Sequence, residues 1–403
     1  METDAPAMPD LVRRRHVFYV SGFDPQGPAR YHAMYAAEAA KQSAVNGMRI
    51  DVGRRRNAGT ERSWWPVHAV DRGHIVETHY EFLRWDDIVR AEWPRDRWVQ
   101  LLQSFRTPWH YLRNGALRRL FAVYPVSVYL MIAPALLVLG VVACSALFAV
   151  LLFAWDRAGY GAAVLWLVGT ALAVWGAWHL ENRLQLAWLM RSYAFTTRHA
   201  DGRVPAIEAR LDAFGQRIAE VIDEGAVDEV LVVGHSSGAQ MAVSAVARAE
   251  QRLAADAKRP ALGLMTVGHC VPILSFLPAA TTFREDLRRT ANATSWCWTD
   301  FTAPADGCSF VLIDPTVQCE GVPGAHADRP KVLSPRFASM FSAAAYAPLR
   351  RDKMRYHFQY LMASERPGAY DYFLVTAGAM RLADRFGALR SIAGDHGARG
   401  RPG

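Results

Sequence analysis

Val227-Asp-Glu-Val-Leu-Val-Val-Gly-His-Ser-Ser-Gly238 is the stretch whose reading decides the fold. Its first half is a short Val-rich apolar run, the pattern of a buried strand. Gly234-His235-Ser236-Ser237-Gly238 then turns sharply, and residues 239–249 are a good helix former. Strand, G-x-S-x-G, helix is the context that gives the five-residue pattern a chemical meaning. Such a strained turn needs small residues two before and two after its centre. Gly234 and Gly238 supply them, and Ser236 is held out at the end of the sheet. A Gly-rich turn with a chance serine would share the five residues without needing this strand and helix.

The chain of 403 residues is 51% apolar, and the apolar residues are unevenly spread. Leu120–Trp155 and Ala158–Leu180 contain no Asp, Glu, Lys or Arg, and only Asp156 and Arg157 separate them. Each exceeds the roughly 20 helical residues that cross a hydrocarbon core of ~30 Å. A buried soluble hairpin would rarely stay uncharged on both helices for this long. The spacing predicts spans at about Val128–Phe153 and Ala162–Trp178, with Trp155, Tyr160 and Trp178 at the interfaces. Arg113, Arg118 and Arg119 flank the first span, and Arg183 and Arg191 follow the second. The positive-inside rule then puts both flanks in the cytoplasm and the 156–161 turn outside. The N-terminal stretch Met1–Asp10 lacks the apolar core of a secretory signal.

The net charge of +8 comes without a nucleic-acid motif, and much of it lies beside the spans, where it suits anionic head groups. Cys144, Cys270, Cys297, Cys308 and Cys319 lack metal-ligand spacing, and free buried thiols in a reducing compartment are expected. Neither a metal cluster nor a nucleotide-binding loop is evident, so no cofactor is expected.

Strands are predicted at His16–Ser21, Met48–Val52, His74–Arg84, Ala261–Gly268 and Thr294–Phe301. Helices are predicted at about Ala29–Asn46, Val204–Glu224, Phe337–Ala345 and Ala379–Leu389. Gly53–Trp65 reads as irregular and basic, and 321–336 as a Pro/Gly-rich loop. Trp85–Tyr124 is helical, basic and aromatic, and reads equally as an interfacial amphipathic stretch or a cap on the sheet. Pro94 and Pro108 are expected to break it into short pieces.

With Gly234–Gly238 set between strand and helix, the chain resembles the α/β-hydrolase superfamily. The resemblance implies an α/β fold, a mostly parallel sheet flanked by helices. The transmembrane hairpin would be inserted between the early strands and the nucleophile strand. Residues 1–119 and 181–390 would form the two parts of the hydrolase domain, 120–180 the hairpin and 391–403 a flexible tail. It also implies the chain order nucleophile, acid, histidine. Ser236 is then the nucleophile. Asp306, in the loop after the Thr294–Phe301 strand, is the favoured acid; Asp300 and Asp314 compete. His357 is the favoured base, ahead of His326 and His396. The backbone N–H groups of Ser237 and of Phe23, in Ser21-Gly22-Phe23, would form the oxyanion hole. Asp24 beside that loop is a puzzle, because an anion opposes a developing oxyanion. His235, just before the nucleophile, reads as packing. The function implied is a membrane-anchored serine hydrolase on the cytoplasmic side of an inner membrane, acting on a carboxylic ester of lipidic character. Its partners would be the bilayer and an ester or lipid-like substrate, not nucleic acid. The alternatives are a tethered binding or scaffold protein without turnover, and a soluble esterase whose apolar pair is a dimer interface.

Overall fold

Alternating side chains make β1 (Arg14–Val20) a strand with two apolar faces. Phe18 and Val20 face one core, and Val17 and Tyr19 the other. The structure, a computed structural model, describes residues 11–154, 160–253, 259–317 and 329–392. The expectations for Trp155, the turn at 156–159, Cys319, His326 and His396 fall outside these residues.

After β1 come α1 (Pro28–Asn46), β2 (Arg49–Val52), β3 (Arg56–Ala58), β4 (Arg62–Asp71) and β5 (His74–Leu83). The stretch expected to be irregular thus holds β3 and the start of β4. Buried and less buried residues alternate along β4. Pro66 hides this strand from a propensity reading, although it pairs opposite His79 in the β4–β5 hairpin. Arg72 and Gly73, both at positive φ, make the tight turn between them.

Three helices, α2 (Asp86–Ala91), α3 (Arg97–Arg113) and α4 (Ala116–Val123), lead up to the hairpin, whose first helix is α5 (Pro125–Ala154). Contrary to expectation, Pro108 does not break α3. A helix-interior proline forfeits a backbone bond, but tertiary packing retains this one, with Tyr111 buried just beyond it. Trp98, Leu102, Phe105, Trp109 and Leu112 are exposed along one face of α3. Their spacing of four, three, four and three residues is that of a single apolar stripe.

Residues 125–154 and α6 (Tyr160–Leu184) are the two long apolar helices, with mean hydropathies of 2.8 and 1.6 over their apolar stretches. At 1.5 Å per residue they are ~45 and ~37 Å long, enough to cross a membrane. They pack together, and the Trp166 indole N–H donates to the Ser145 carbonyl. Two details differ from expectation. Val128 and Met131 are buried in the core of the sheet domain, so the start of the expected first span packs against that domain. Cys144, expected to be buried, is exposed on α5. It is a small apolar side chain on a helix whose outer face meets no other part of the chain. Cys270 is buried, and Cys297 and Cys308 partly so; all four described cysteines are free thiols.

A single residue, Gln185 in the left-handed conformation, turns α6 into α7 (Leu186–Ala200). Glu181 ties the corner by accepting the Ala187 N–H. The chain continues through α8 (Pro205–Glu224), β6 (Glu229–His235), α9 (Gly238–Glu250), β7 (Ala261–Val267), α10 (Val271–Ser275), α11 (Thr281–Asn292), β8 (Cys297–Phe301) and β9 (Lys331–Leu333). It ends in short helices: α12 (Phe337–Met340), α13 (Ala343–Arg351), α14 (Lys353–Phe358), α15 (Tyr372–Ala377) and α16 (Leu382–Phe386). β9 lies within the expected loop, and the last helix is shorter than expected. Ser391 and Ile392 hydrogen-bond Val332 of β9.

The result is one mixed sheet of order β2-β4-β5-β1-β6-β7-β8-β9, with β3 on β4. From β5 to β9 every pairing is parallel. Parallel sheets need both faces covered. Here α8, α9 and α11 cover one face and α1, α15 and α16 the other. The strand ends align: Val20 lies opposite Gly234, His235 opposite Val267, Val267 opposite Phe301, and Phe301 opposite Leu333. Loops leaving β1, β6, β7, β8 and β9 therefore share one edge. The crevice beyond such carboxyl ends is where ligands of open α/β sheets bind.

Candidate active site

Ser236 sits just beyond β6 with φ +58°, one of five non-glycine residues at positive φ among the described residues. A left-handed conformation costs an L-residue roughly 1–2 kcal/mol. Its N–H donates to the Val267 carbonyl at 3.0 Å, which helps hold it there. The flanking glycines are sterically required. A Cβ on Gly238 would lie 2.3 Å from the Val20 oxygen and 2.5 Å from that of Ser21, and one on Gly234 2.7 Å from Ala239 Cα. The helix start is thus pressed against the end of β1, and Gly22 sits beside the Ser236 side chain.

Asp306, in the loop after β8, and His357, on α14 beyond β9, come together. His357 Nδ1–H donates to Asp306 Oδ2 at 2.8 Å, and both side chains are fully buried. Tyr360 donates its hydroxyl to the same oxygen at 3.0 Å, and the Cys308 N–H donates to Oδ1 at 3.1 Å. Burial alone would raise the Asp306 carboxyl. The charge and hydrogen bond of His357, with the Tyr360 and Cys308 donors, outweigh burial and hold it below the usual carboxylate range. In the neutral ring, with Nδ1 donating to Asp306, Nε2 is the acceptor, and it is buried and without a partner among the described residues.

The competing acids go elsewhere. Asp300 accepts from Thr266 Oγ1 at 2.6 Å on the sheet itself, and burial pushes its carboxyl well above the usual range. Asp314 caps its own turn by accepting the Thr316 N–H at 2.8 Å. Neither bonds to His357. His235 lies under His357, with ring centroids 4.7 Å apart, and its Nε2 is 3.0 Å from the His357 carbonyl oxygen. Burial, reinforced by His357, pushes its pKa down to about 3, so it remains neutral and supports the backbone of its neighbour.

The Ser21–Phe23 loop is pinned on both sides. The Trp85 indole N–H donates to the Ser21 carbonyl at 2.9 Å, and that of Trp188 to the Phe23 carbonyl at 2.9 Å. The Phe23 ring packs among Trp85, Trp93 and Phe195. The Phe23 N–H, expected to be open, instead donates to Ser237 Oγ at 2.7 Å. Among the described residues the Ser237 N–H donates to no other group. The anion beside this loop is turned away: Asp24 accepts the Tyr31 hydroxyl at 3.0 Å and the Gln26 N–H at 2.9 Å.

Sequence reasoning missed Tyr360, Trp188 and Cys270. Tyr360 stands three residues after His357, one helical turn on, a spacing that could have suggested it. Trp188 edges onto His357 at 6.4 Å from a helix that no motif marks. Burial pushes the Cys270 thiol up to about 12, even with a hydrogen bond involving Ser236 opposing it, so it is a neutral neighbour of the serine.

Two groups bring three metal-type ligand atoms within 4.8 Å of one another: His16, His79 and Glu81, and Asp306, Cys308 and His357. In the first, Arg62 and Arg217 already flank the Glu81 carboxylate, each at 3.4 Å. In the second, Asp306 and His357 bond each other. Compared with models of known protein families, with curated proteins and with solved structures, the chain matches none.

Proposed function

We propose that this chain is a membrane-anchored serine hydrolase that cleaves a carboxylic ester through Ser236, His357 and Asp306. One observation carries the reading: a buried Asp306–His357 pair leaves Nε2 unpartnered at the sheet edge where Ser236 is held in a left-handed turn. The strand order supports it, since Ser236 follows β6, Asp306 follows β8 and His357 follows β9, in a sheet resembling that of α/β-hydrolases.

In this mechanism Ser236 Oγ attacks the carbonyl carbon and gives its proton to His357 Nε2. Asp306, kept ionised, stabilises the resulting imidazolium and does not take the proton itself. General-base assistance of this kind contributes about 10²–10⁴-fold. The Ser237 N–H receives the oxyanion, and the Phe23 N–H joins it once Ser237 Oγ rotates away. His357 then protonates the leaving alcohol, and water hydrolyses the acyl-enzyme by the same route. A lipidic ester suits the exposed stripe of α3 and the two apolar helices, which would hold the domain at a bilayer. Arginines on both flanks of the pair favour the cytoplasmic face.

The test is labelling by a fluorophosphonate probe. Wild-type protein should label, and Ser236→Ala should not. Folded wild-type protein that stays unlabelled would end the hydrolase reading. That outcome would favour the second reading, a tethered binding protein without turnover, for which the occupied Phe23 N–H speaks. Recovery in the soluble fraction without detergent would remove the anchor from either reading.

A further inference from the structure

Four cations surround a cleft where the apolar pair meets the sheet domain. Arg183 comes from the last turn of α6, Arg350 and Arg351 from the end of α13, and Lys353 from the start of α14. The cleft encloses about 620 Å³, and Leu180 and Leu184 of α6 complete its wall on the membrane side. Among the described residues none of the four cations makes an ion pair; Lys353 donates only to the Arg350 carbonyl, at 3.2 Å. The nearby acids are committed elsewhere. Asp352 accepts the Arg355 N–H as the cap of α14, and Glu181 accepts the Ala187 N–H.

The two nearby carboxylates do not balance four cations, and a bound anion relieves the repulsion that remains. The cleft's depth identifies the anion's source. On the reading that the pair spans a bilayer, on which this inference rests, Arg183 at the end of a 25-residue apolar helix lies at the level of the lipid phosphates. The leucine wall would take the glycerol backbone and first methylenes, and the cations the phosphate. Basic pockets beside membrane helices bind anionic head groups in this manner.

We propose that this cleft binds the phosphate head group of an anionic phospholipid and docks the sheet domain on the bilayer. The site stands whether or not Ser236 turns over. It adjoins the site described above, however, because Ala305, the residue before Asp306, also lines it. A lipid seated there rests against the loop that presents the acid.

The test uses full-length protein in detergent and native mass spectrometry. Phosphatidylglycerol and phosphatidylcholine with the same acyl chains are compared. Wild type should retain the anionic lipid with a preference of at least ~10-fold. The combined variant Arg350→Gln, Arg351→Gln, Lys353→Gln should bring the preference close to parity. Exposed Arg49, Arg54 and Arg288, changed to Gln together, remove the same charge elsewhere and should leave it unchanged. All the substituted residues lie toward the surface, and thermal melts verify that each variant is folded. Parity in wild type, a preference surviving the triple variant, or equal loss in the control would each overturn the site. Glycerol 3-phosphate separates the sources: if it binds as tightly as phosphatidylglycerol, the ligand is a soluble phosphate and the lipid assignment fails.

Discussion

Replacing Tyr360 by Phe removes one oxygen from beneath the acid–base pair. That oxygen donates to Asp306 Oδ2 at 3.0 Å and accepts the Ala303 N–H at 2.7 Å. A hydrogen bond to a charged group contributes ~1.5–3 kcal/mol, and a buried amide left without an acceptor costs ~1–3 kcal/mol. The ring still fills its space, so no large cavity adds to the loss. The sum is about 2.5–6 kcal/mol. At ~2 °C per kcal/mol for a chain of this size, Tm should fall by roughly 5–12 °C near neutral pH. The pH dependence is a second signature. A carboxylate whose folded pKa is depressed contributes stability above its unfolded value of ~3.9, and that stability is lost as pH falls through the folded value. Tyr360 is one of the donors holding Asp306 down, so the variant should lose this contribution at a higher pH than wild type. The gap in Tm should therefore be widest near neutrality and narrow below about pH 4. Tryptophan-fluorescence melts in detergent, from about pH 7 downward, measure both effects. A variant within ~2 °C of wild type at neutral pH would refute the reasoning. So would a gap that is constant down to acid pH.

Asp300→Asn should melt at or above the wild-type temperature near neutral pH. Its raised folded pKa means that the unfolded chain releases a proton the folded chain keeps, a penalty growing above about pH 4 that Asn lacks. Probe labelling should survive Asp300→Asn and vanish in Asp306→Asn; the reverse would hand the acid role to Asp300. Gly238→Ala should cost about 3 kcal/mol or more, because the new Cβ meets backbone oxygens on a rigid strand. Gly307→Ala, where a Cβ meets nothing within 4 Å, should stay within ~1 kcal/mol, and melting of the two variants compares them directly. Burial pushes His235 down to about 3 and His269 down to about 4. Both stay neutral in the fold while the unfolded chain protonates, so the stability these two rings contribute should be level above about pH 6.5 and fall below it. A Tm unchanged down to about pH 5 would show these rings to be solvated.

What could be read from the sequence was local or carried by chain order. The strand, turn and helix around Ser236 lie within 25 residues, and each piece agrees with the next. Chain order narrowed the acids and histidines to a few, and geometry brings Asp306 and His357 together from that set. The groups that fix their geometry could not be read this way. Trp188 reaches Phe23 across 165 positions, and Ser237 meets the Phe23 amide across 214. No periodicity records such contacts. Local rules also erred where packing overrode them. Pro66 concealed a strand that pairs on both sides, and Pro108 failed to end a helix whose inner face is buried.

The one-residue corner at Gln185 has a mechanical consequence. With one residue at the corner and Glu181 accepting the Ala187 N–H across it, the second apolar helix would act on α7 as a lever. Three residues along, Trp188 grips the Phe23 carbonyl and abuts the His357 ring. A tilt imposed by bilayer thickness would thus be felt as torque at the pinned loop, before any substrate arrives. Labelling of Ser236 in shorter-chain and longer-chain lipid should differ for wild type and converge for Trp188→Phe. Equal rates for wild type in both lipids would show the lever to be disengaged.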